Sequence, residues 1–379
     1  MWAPMFCIPP MEHILKEELL LTHTQTSFLF AIPNLMIIAV AIPAGIVADR
    51  IGVQKATGIG ITLIAVGAML RGMTDNAVSL QGYTFVYGIG VGWLFPTLPK
   101  LVGLLLPREK LEFGTAVYSV GMYIGAALPL AITMSVIFPM VESFRFVFLV
   151  WSIPAVLGAI LWWTLSRKTL VLSKDHKPGE VSKGNFTQLL MNRNLLLVAS
   201  LFLIHQFFFN NWSGWAPALL LSRGATAELA GLISSITLWV GIPTGILMPR
   251  LFQKLESKKS VLWISSLTTT LVAGGALGMN LASSWVIMVL AGVAITSRFI
   301  ILMTLLVEFV SAEEVGAASG LMLSIGYVGG IVGPLIGGYT FDLTGGLDPM
   351  LFTLVGVSVA AIIISLKLRE TRRKIGTLR

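Results

Sequence analysis

The chain has 379 residues, of which 55% are hydrophobic and only 12% are charged, and its mean hydropathy is +0.86. Water-soluble domains carry about twice that share of charged residues, so the composition excludes a soluble globular fold. A single cysteine, Cys7, excludes a disulfide framework and any cysteine-based metal site. The formal net charge of +8 raises the question of nucleic-acid binding, which the positions of the basic residues answer.

Eleven stretches are long and apolar enough to cross a bilayer as helices, because about 17 to 25 residues are needed to span the hydrocarbon core. In chain order, the predicted spans are Thr26–Val47, Thr57–Arg71, Leu80–Lys100, Gly114–Phe138, Phe146–Leu165, Leu195–Leu221, Ala225–Met248, Ser260–Gly278, Ser284–Leu306, Val315–Phe341 and Met350–Leu368.

The basic residues are distributed unequally between the two ends of these spans. Of the 26 Lys and Arg residues, twenty-one fall in loops on one side, and Arg298 lies inside a span. Loops rich in Lys and Arg remain in the cytoplasm, so the majority side is predicted to be cytoplasmic and the charge indicates topology. We expect no nucleic-acid partner. The minority side holds Lys16, Arg71, Arg145 and Arg223.

One long polar segment separates the fifth span from the sixth and divides the chain into two hydrophobic halves. The predicted domains are an N-terminal transmembrane bundle over residues 1–165, a cytoplasmic central loop over 166–194, a C-terminal transmembrane bundle over 195–368 and a basic cytoplasmic tail over 369–379. The expected location is a bacterial or archaeal inner (plasma) membrane, with the C-terminus in the cytoplasm.

This orientation starts Thr26–Val47 outside the cell and leaves Met1–Pro10 before the polar stretch Met11–Gln25. Ten residues cannot cross a bilayer, and no basic segment precedes them as it would in a signal peptide. We interpret Met1–Pro10 as the outer end of a truncated first helix. The expected plan is twelve membrane helices, of which eleven are complete.

The two halves repeat each other in sequence. The stretch Ile42–Ile46 followed by Arg50 recurs as Ile242–Ile246 followed by Arg250. Gly121, Gly125 and Pro129 recur, in the same order, as Gly326, Gly330 and Pro334. Matches at nearly constant offset favour two pseudo-symmetric six-helix bundles, an all-α architecture typical of secondary transporters.

The loop after the second helix of this plan carries a recognisable motif. It reads Gly45-Ile46-Val47-Ala48-Asp49-Arg50-Ile51-Gly52 and resembles the signature loop of the major facilitator superfamily. The resemblance implies a gating role for Gly45, Asp49, Arg50 and Gly52; the alternative is that Asp49 and Arg50 form a solvated surface pair of little energetic value. Within that superfamily, the stretch Asn211–Pro217 is most similar to the cyanate-permease branch.

Polar side chains in the middle of the spans indicate the substrate site, because a charge at mid-bilayer costs about 2.5 to 3.5 kcal/mol on insertion scales. Arg298 and His205 are expected at one depth, about 15 Å from the cytoplasmic side. Gln206 and Asn210 extend the polar face around His205, and Tyr87 is a further candidate on the fourth helix. The alternatives are a structural Arg298 bonded to other helices, a His205 that only packs, and a Tyr87 that belongs to the packing.

The predicted function is secondary transport of a small, anionic solute by alternating access, because Arg298 has no obvious carboxylate partner in the visible spans. The alternative is export of amphipathic compounds or drugs by proton antiport, favoured by the run Phe207-Phe208-Phe209. An enzyme is disfavoured, since no intramembrane nucleophile, metal or nucleotide-binding motif is present. We expect a monomer in the lipid bilayer with a small-molecule substrate and no metal or cofactor. If a proton gradient drives transport, His205 is the candidate proton carrier.

Overall fold

The computed structural model describes residues 1–107, 110–169, 186–254, 258–310 and 314–368, and these residues form helices and short turns without a strand. Much of the predicted central loop 166–194 and all of the predicted tail 369–379 lie outside the described residues. The helices are α1 Ala3–Phe6, α2 Glu12–Leu19, α3 His23–Ile51, α4 Val53–Arg71, α5 Ala77–Leu105, α6 Leu111–Ile132, α7 Phe138–Val141, α8 Phe144–Thr169, α9 Phe186–Met191, α10 Arg193–Ser222, α11 Ala227–Trp239, α12 Gly241–Lys254, α13 Lys258–Leu277, α14 Leu281–Glu308, α15 Val315–Thr344 and α16 Asp348–Lys367.

Eleven spans among the described residues are long and apolar enough to cross a membrane, which confirms the eleven predicted stretches. Most helices extend a few residues beyond the apolar stretch that predicted them. The extension reflects polar residues that begin helices by binding free N–H groups of the first turn. Thr22, Asn76 and Asn280 each form a capping box, at the starts of α3, α5 and α14.

The beginning of the chain is helical but broken. The helix α1 is followed by a 3-10 turn over Pro9–Met11 and then by α2, which lies within the stretch Met11–Gln25 described above as polar. Pro9 and Pro10 explain the break, because proline has no N–H group to continue a helical hydrogen-bond ladder. Residues from Ala3 to Met11 are buried, and α1 packs on α6 and α8.

Successive long helices run in opposite directions and define two ends of the molecule. We call the end at which α3 and α5 finish and α10 begins the loop face, and the other end the opposite face. The opposite face holds the start of α3, the end of α10 and the end of α15.

The two halves are related by pseudo-symmetry, as predicted. The helix α3, which is the second helix of the predicted twelve-helix plan, packs on α15 of the C-terminal half. In the same way, α6 of the N-terminal half packs on α11, and a Cβ added at Gly231 of α11 would lie 2.4 Å from the main-chain oxygen of Leu130. The exchange of helix pairs between halves is the pattern that a two-fold axis along the membrane normal produces.

Within the C-terminal half, α10 and α15 touch backbone to backbone. A Cβ added at Gly329 of α15 would lie 2.1 Å from the main-chain oxygen of Leu203, and one added at Gly333 would lie 2.5 Å from that of Phe207. Only glycine permits this approach, which is how membrane helices gain close van der Waals contact.

Candidate functional site

Arg298 lies on α14 at 0% exposure, ten residues before the helix ends at Glu308. One guanidinium nitrogen, Nη1, donates to the hydroxyl of Thr269 on α13 at 3.3 Å, and the group lies 5.7 Å from the ring centre of Phe208 on α10. The other two nitrogens, Nε and Nη2, are buried and have no hydrogen-bond partner among the described residues. The cation is therefore held between α10, α13 and α14, inside the C-terminal half.

His205 lies on α10, the helix whose Phe208 faces Arg298, and its ring neighbours Phe299, the residue that follows Arg298 on α14. It occupies α10 twelve residues after the helix begins at Arg193, so both side chains lie about 15 to 18 Å from the loop face. Its ring packs between aromatic neighbours, at centroid distances of 5.8 Å from Phe202 and 5.7 Å from Phe299. Its Nδ1 atom is buried without a hydrogen-bond partner in the described part of the chain. The structure thus brings the two main site candidates together.

Asn210 lies one turn along α10 from Gln206 and belongs to a polar contact between the halves. Its side-chain N–H donates to the main-chain oxygen of Gln206 at 3.0 Å, and its side-chain oxygen accepts from Asn34 of α3 at 2.9 Å. Asn34 also donates to the main-chain oxygen of Gly330 on α15 at 3.1 Å. Sequence reasoning missed Asn34; a lone amide in an otherwise apolar span was the available signal.

Tyr87 does not lie with Arg298 and His205. It is fully buried on α5 in the N-terminal half, where its hydroxyl donates to the main-chain oxygen of Met1 at 2.6 Å. Its ring lies 5.5 Å from the guanidinium carbon of Arg71, a second fully buried arginine, which donates to the oxygen of Pro4 at 2.6 Å. Arg71 was expected only to mark the minority side of the membrane, and its burial was not predicted.

The signature motif was expected in a loop, but residues 45–51 form the last turns of α3, which continues until Gly52 ends it at the loop face. There the motif is tied to α5. Asp49 accepts from Lys100 Nζ at 2.7 Å, and the same ammonium donates to the main-chain oxygen of Gly45 at 3.2 Å. Gly52 adopts φ +90°, a conformation that residues with side chains rarely adopt, and this allows the turn into α4. Arg50 is exposed, and Lys100 is the ion-pair partner of Asp49. The ion pair of Asp49 and Lys100 therefore joins α3 to α5 within the N-terminal half.

A cluster of charged residues at the opposite face joins the halves, and sequence reasoning did not anticipate it. Asp342, near the end of α15, accepts from the main-chain N–H groups of His23 and Thr24 at 2.9 Å each and from the Thr24 hydroxyl at 2.5 Å. Such a carboxylate is favoured at a helix N-terminus, where N–H groups are free and the helix dipole is positive.

The His23 side chain extends this cluster to α2. Its Nδ1 atom lies 2.6 Å from Glu12 Oε1, and its Nε2 atom lies 2.7 Å from Lys16 Nζ. The ring stacks on Phe341 of α15 at a centroid distance of 3.9 Å. Glu12, Lys16, His23 and Asp342 are called the opposite-face cluster below.

A small cavity lies under the opposite-face cluster, between the two halves. The residues that line it are Ile8, Pro9, Glu12, Thr26, Ser27, Phe30, Gly214, Trp215 and Pro334. The Ser27 hydroxyl is buried there without a hydrogen-bond partner among the described residues. The halves therefore meet through side chains at this level, with polar groups on the N-terminal side.

Comparison with known proteins agrees with this architecture. The sequence profile of the Major Facilitator Superfamily matches residues 1–334 and 216–378 in two overlapping alignments. A gentisate transporter of Corynebacterium glutamicum is 26% identical over 358 residues, which cover 87% of this chain and 77% of the relative. A 2-nitroimidazole transporter of Escherichia coli (strain K12) is 24% identical over 363 residues, covering 94% of this chain and 88% of the relative.

Solved structures agree at the level of the fold. A D-xylose-proton symporter superposes with a TM-score of 0.75 at 15% identity, covering 97% of this chain and 93% of that structure. The fold, the duplicated halves and the profile match lead to one assignment. The chain belongs to the Major Facilitator Superfamily and is a multi-pass membrane transporter of solutes, not an enzyme.

Proposed function

We propose that the protein is a secondary transporter that moves a small organic anion across the plasma membrane by alternating access. The observation that carries the proposal is Arg298, whose Nε and Nη2 atoms are fully buried without a hydrogen-bond partner among the described residues. The positive-inside rule assigns the loop face, and with it the C-terminus, to the cytoplasm.

A buried cation requires an anion, because an uncompensated buried charge costs several kcal/mol. Its described polar contact is the hydroxyl of Thr269, which is neutral. A carboxylate can accept two parallel hydrogen bonds from one guanidinium, and such pairs are stronger than bonds between neutral groups. His205 adds an imidazole nitrogen at the same depth. Arg298 and His205 together suit a compact anion better than a neutral solute.

The positions of the contacts between the two halves agree with alternating access. Asp342 and the start of α3 are in contact at the opposite face, and Asn34 meets Asn210 near mid-depth. At the loop face, by contrast, Asp49 pairs with Lys100 inside one half, and Lys258 pairs with Glu308 inside the other. This distribution fits a state that is closed towards the outside.

The named solutes of two relatives favour different substrates for this protein. Gentisate is a carboxylate, and the resemblance of Asn211–Pro217 to the cyanate-permease branch favours a small anion as well. The 2-nitroimidazole transporter is named for a solute without a carboxylate, which supports the alternative, an exporter of amphipathic compounds or drugs. The rings of Phe202, Phe209 and Phe299 around His205 offer such a compound an apolar surface.

The test is uptake into proteoliposomes of gentisate as the anionic probe and 2-nitroimidazole as the neutral probe, both assayed at a mildly acidic pH at which the ring N–H of 2-nitroimidazole keeps its proton. We expect Arg298→Ala to abolish gentisate uptake, and Arg298→Lys to lose most of it, because a point charge does not reproduce the two-pronged guanidinium. Arg193→Ala, an exposed arginine at the start of α10, is the control and should transport like the parent. Parent-level gentisate uptake by Arg298→Ala would overturn the proposal, and transport of the neutral probe alone would favour the exporter.

A further inference from the structure

Thr269 is the described polar partner of Arg298 and lies on α13, eleven residues after that helix begins at Lys258. At 1.5 Å per residue, this places Thr269 about 16 Å from the loop face, at the depth of Arg298. Both side chains are at 0% exposure, and the hydroxyl accepts from Arg298 Nη1 at 3.3 Å. The contact therefore joins α13 to α14 at mid-depth, away from water.

A second hydrogen bond holds the Thr269 hydroxyl in one orientation. The hydroxyl donates its proton to the main-chain oxygen of Ser266, one turn earlier in α13, at 2.9 Å. Threonine side chains commonly bond in this way to a carbonyl of the preceding helical turn. A hydroxyl has one proton and two lone pairs, so the oxygen of Thr269 keeps its lone pairs for Arg298. The backbone of α13 thus fixes where Nη1 finds its acceptor.

This contact determines which edge of the guanidinium remains for another partner. The group is planar, and the N–H bonds of Nε and Nη2 point in parallel along one edge, whereas Nη1 lies on the other side, next to the Cδ methylene. Nε and Nη2 are the two nitrogens of Arg298 without a hydrogen-bond partner among the described residues. Parallel N–H groups match the two oxygens of a carboxylate. Thr269 therefore bonds to the one nitrogen that lies outside the two-pronged edge.

The helices that pack on α14 offer this edge no carboxylate at its own depth. Those helices are α10, α11, α12, α13 and α15, and the sequences of α10, α12 and α13 contain no Asp or Glu. Glu228 is the second residue of α11, Asp342 lies two residues before the end of α15, and Glu308 is the last residue of α14 itself. All three acidic residues lie at helix ends, whereas Arg298 lies ten residues inside α14.

We propose that Thr269 is a positioning residue of the substrate site, which holds Arg298 by Nη1 so that the edge formed by Nε and Nη2 receives a carboxylate group of the substrate. The inference rests on the anion site proposed above and narrows its ligand from small anions in general to carboxylates. A halide ion offers one atom to the two N–H groups and gains less from their parallel geometry. The role of Thr269 is to orient the guanidinium, and its own hydroxyl does not contact the substrate.

The experiment is equilibrium binding of gentisate, and of its neutral amide gentisamide, to the purified full chain by isothermal titration calorimetry. We expect the parent to bind gentisate at least about tenfold more tightly than gentisamide, because charge-assisted bonds are the stronger ones. Thr269→Val, which keeps the shape and loses the acceptor, should weaken gentisate binding by about tenfold or more. Thr269→Ser keeps the hydroxyl and should restore most of the affinity. Thr270→Val is the matched control, since that hydroxyl also donates to the Ser266 oxygen at 2.9 Å.

A double-mutant cycle separates positioning from a merely structural role. Lysine has no edge to orient, so in an Arg298→Lys background Thr269→Val should weaken gentisate binding by less than about threefold. Thermal melting checks that each variant folds. Parent-like gentisate binding by Thr269→Val, an equal loss in both backgrounds, or gentisamide bound as tightly as gentisate would overturn the inference. Parent-like binding by Arg298→Lys would instead contradict the anion site, and a parent that binds neither probe at millimolar concentration would contradict both proposals.

Discussion

Asn34 of α3 donates its side-chain amide to the side-chain oxygen of Asn210 on α10 at 2.9 Å, across the boundary between the two halves. Both residues are buried, at 1% and 3% exposure. A bond between amides at mid-depth can break and reform without moving a charge, so it suits a contact that must separate in each transport cycle.

Loss of this contact should be measurable as a coupling energy. In a double-mutant cycle of Asn34→Ala and Asn210→Ala, we expect a coupling of about 0.6 to 1.7 kcal/mol in unfolding free energy, the range found for hydrogen bonds between membrane helices. Thermal or denaturant unfolding in detergent provides the measurement. Asn192→Ala, which removes a helix cap within the C-terminal half, should show no coupling to Asn34→Ala. Additivity of the first pair would contradict the assignment.

The ion pair of Asp49 and Lys100 should affect transport more than stability. Both side chains are substantially exposed, at 48% and 38%, so the pair contributes about 0 to 1 kcal/mol to folding. We expect Asp49→Asn to reduce the transport rate about tenfold by shifting the conformational equilibrium, with equilibrium binding of the anionic probe gentisate nearly intact. Parallel uptake and binding assays test this. Abolished binding in a folded variant would move Asp49 to the substrate site.

Tyr87→Phe should leave substrate binding unchanged, because the Tyr87 hydroxyl bonds to Met1 in the N-terminal half and not to the Arg298 region. The variant loses one buried hydrogen bond, which costs about 0.5 to 1.5 kcal/mol of stability. Thermal melting with and without gentisate, the anionic probe, separates the two quantities. A variant that melts like the parent but loses the stabilisation by anion would return Tyr87 to the site.

Gly329 offers a test of the backbone contact between α10 and α15. Gly329→Ala places a methyl group 2.1 Å from the Leu203 oxygen, so the helices must separate, and we expect about 1 to 3 kcal/mol of destabilisation. Gly320→Ala, on the same helix, meets nothing within 4 Å and should be neutral or slightly stabilising. The melting temperatures of the two variants are compared directly. Equal effects would mean that helix propensity alone accounts for both.

The sequence predicts the spans well because length and apolar character decide them, as the close match between Leu195–Leu221 and Arg193–Ser222 illustrates. Rotation about each helix axis is harder to predict. The spans are apolar nearly all round, so periodicity gives little sign of which side faces a neighbour. Asn34 therefore escaped notice, while His205 and Arg298 were found from depth alone. Their shared depth was correctly predicted, but the turn of Arg298 towards Thr269 on α13 was not.

The opposite-face cluster was missed for a different reason. Glu12 and Lys16 lie in a stretch whose polarity suggested a connection outside the membrane, whereas the structure folds it into α2. Asp342 lies 319 residues from His23, and only the packing of α15 on α3 brings them together. Contacts between distant helix ends depend on topology and register, which a single sequence does not specify.

The backbone contact of α10 with α15 limits how these two helices of the C-terminal half can move. The two helices cannot slide past each other at Gly329 and Gly333 without first moving apart. They are therefore expected to tilt together as one rigid body. A helix of 30 residues is about 45 Å long, and a tilt of about 10° around its middle displaces each end by about 4 Å. That displacement exceeds the 2.9 Å length of the hydrogen bonds between Asp342 and the start of α3. A small rotation of α15 is therefore enough to break these bonds.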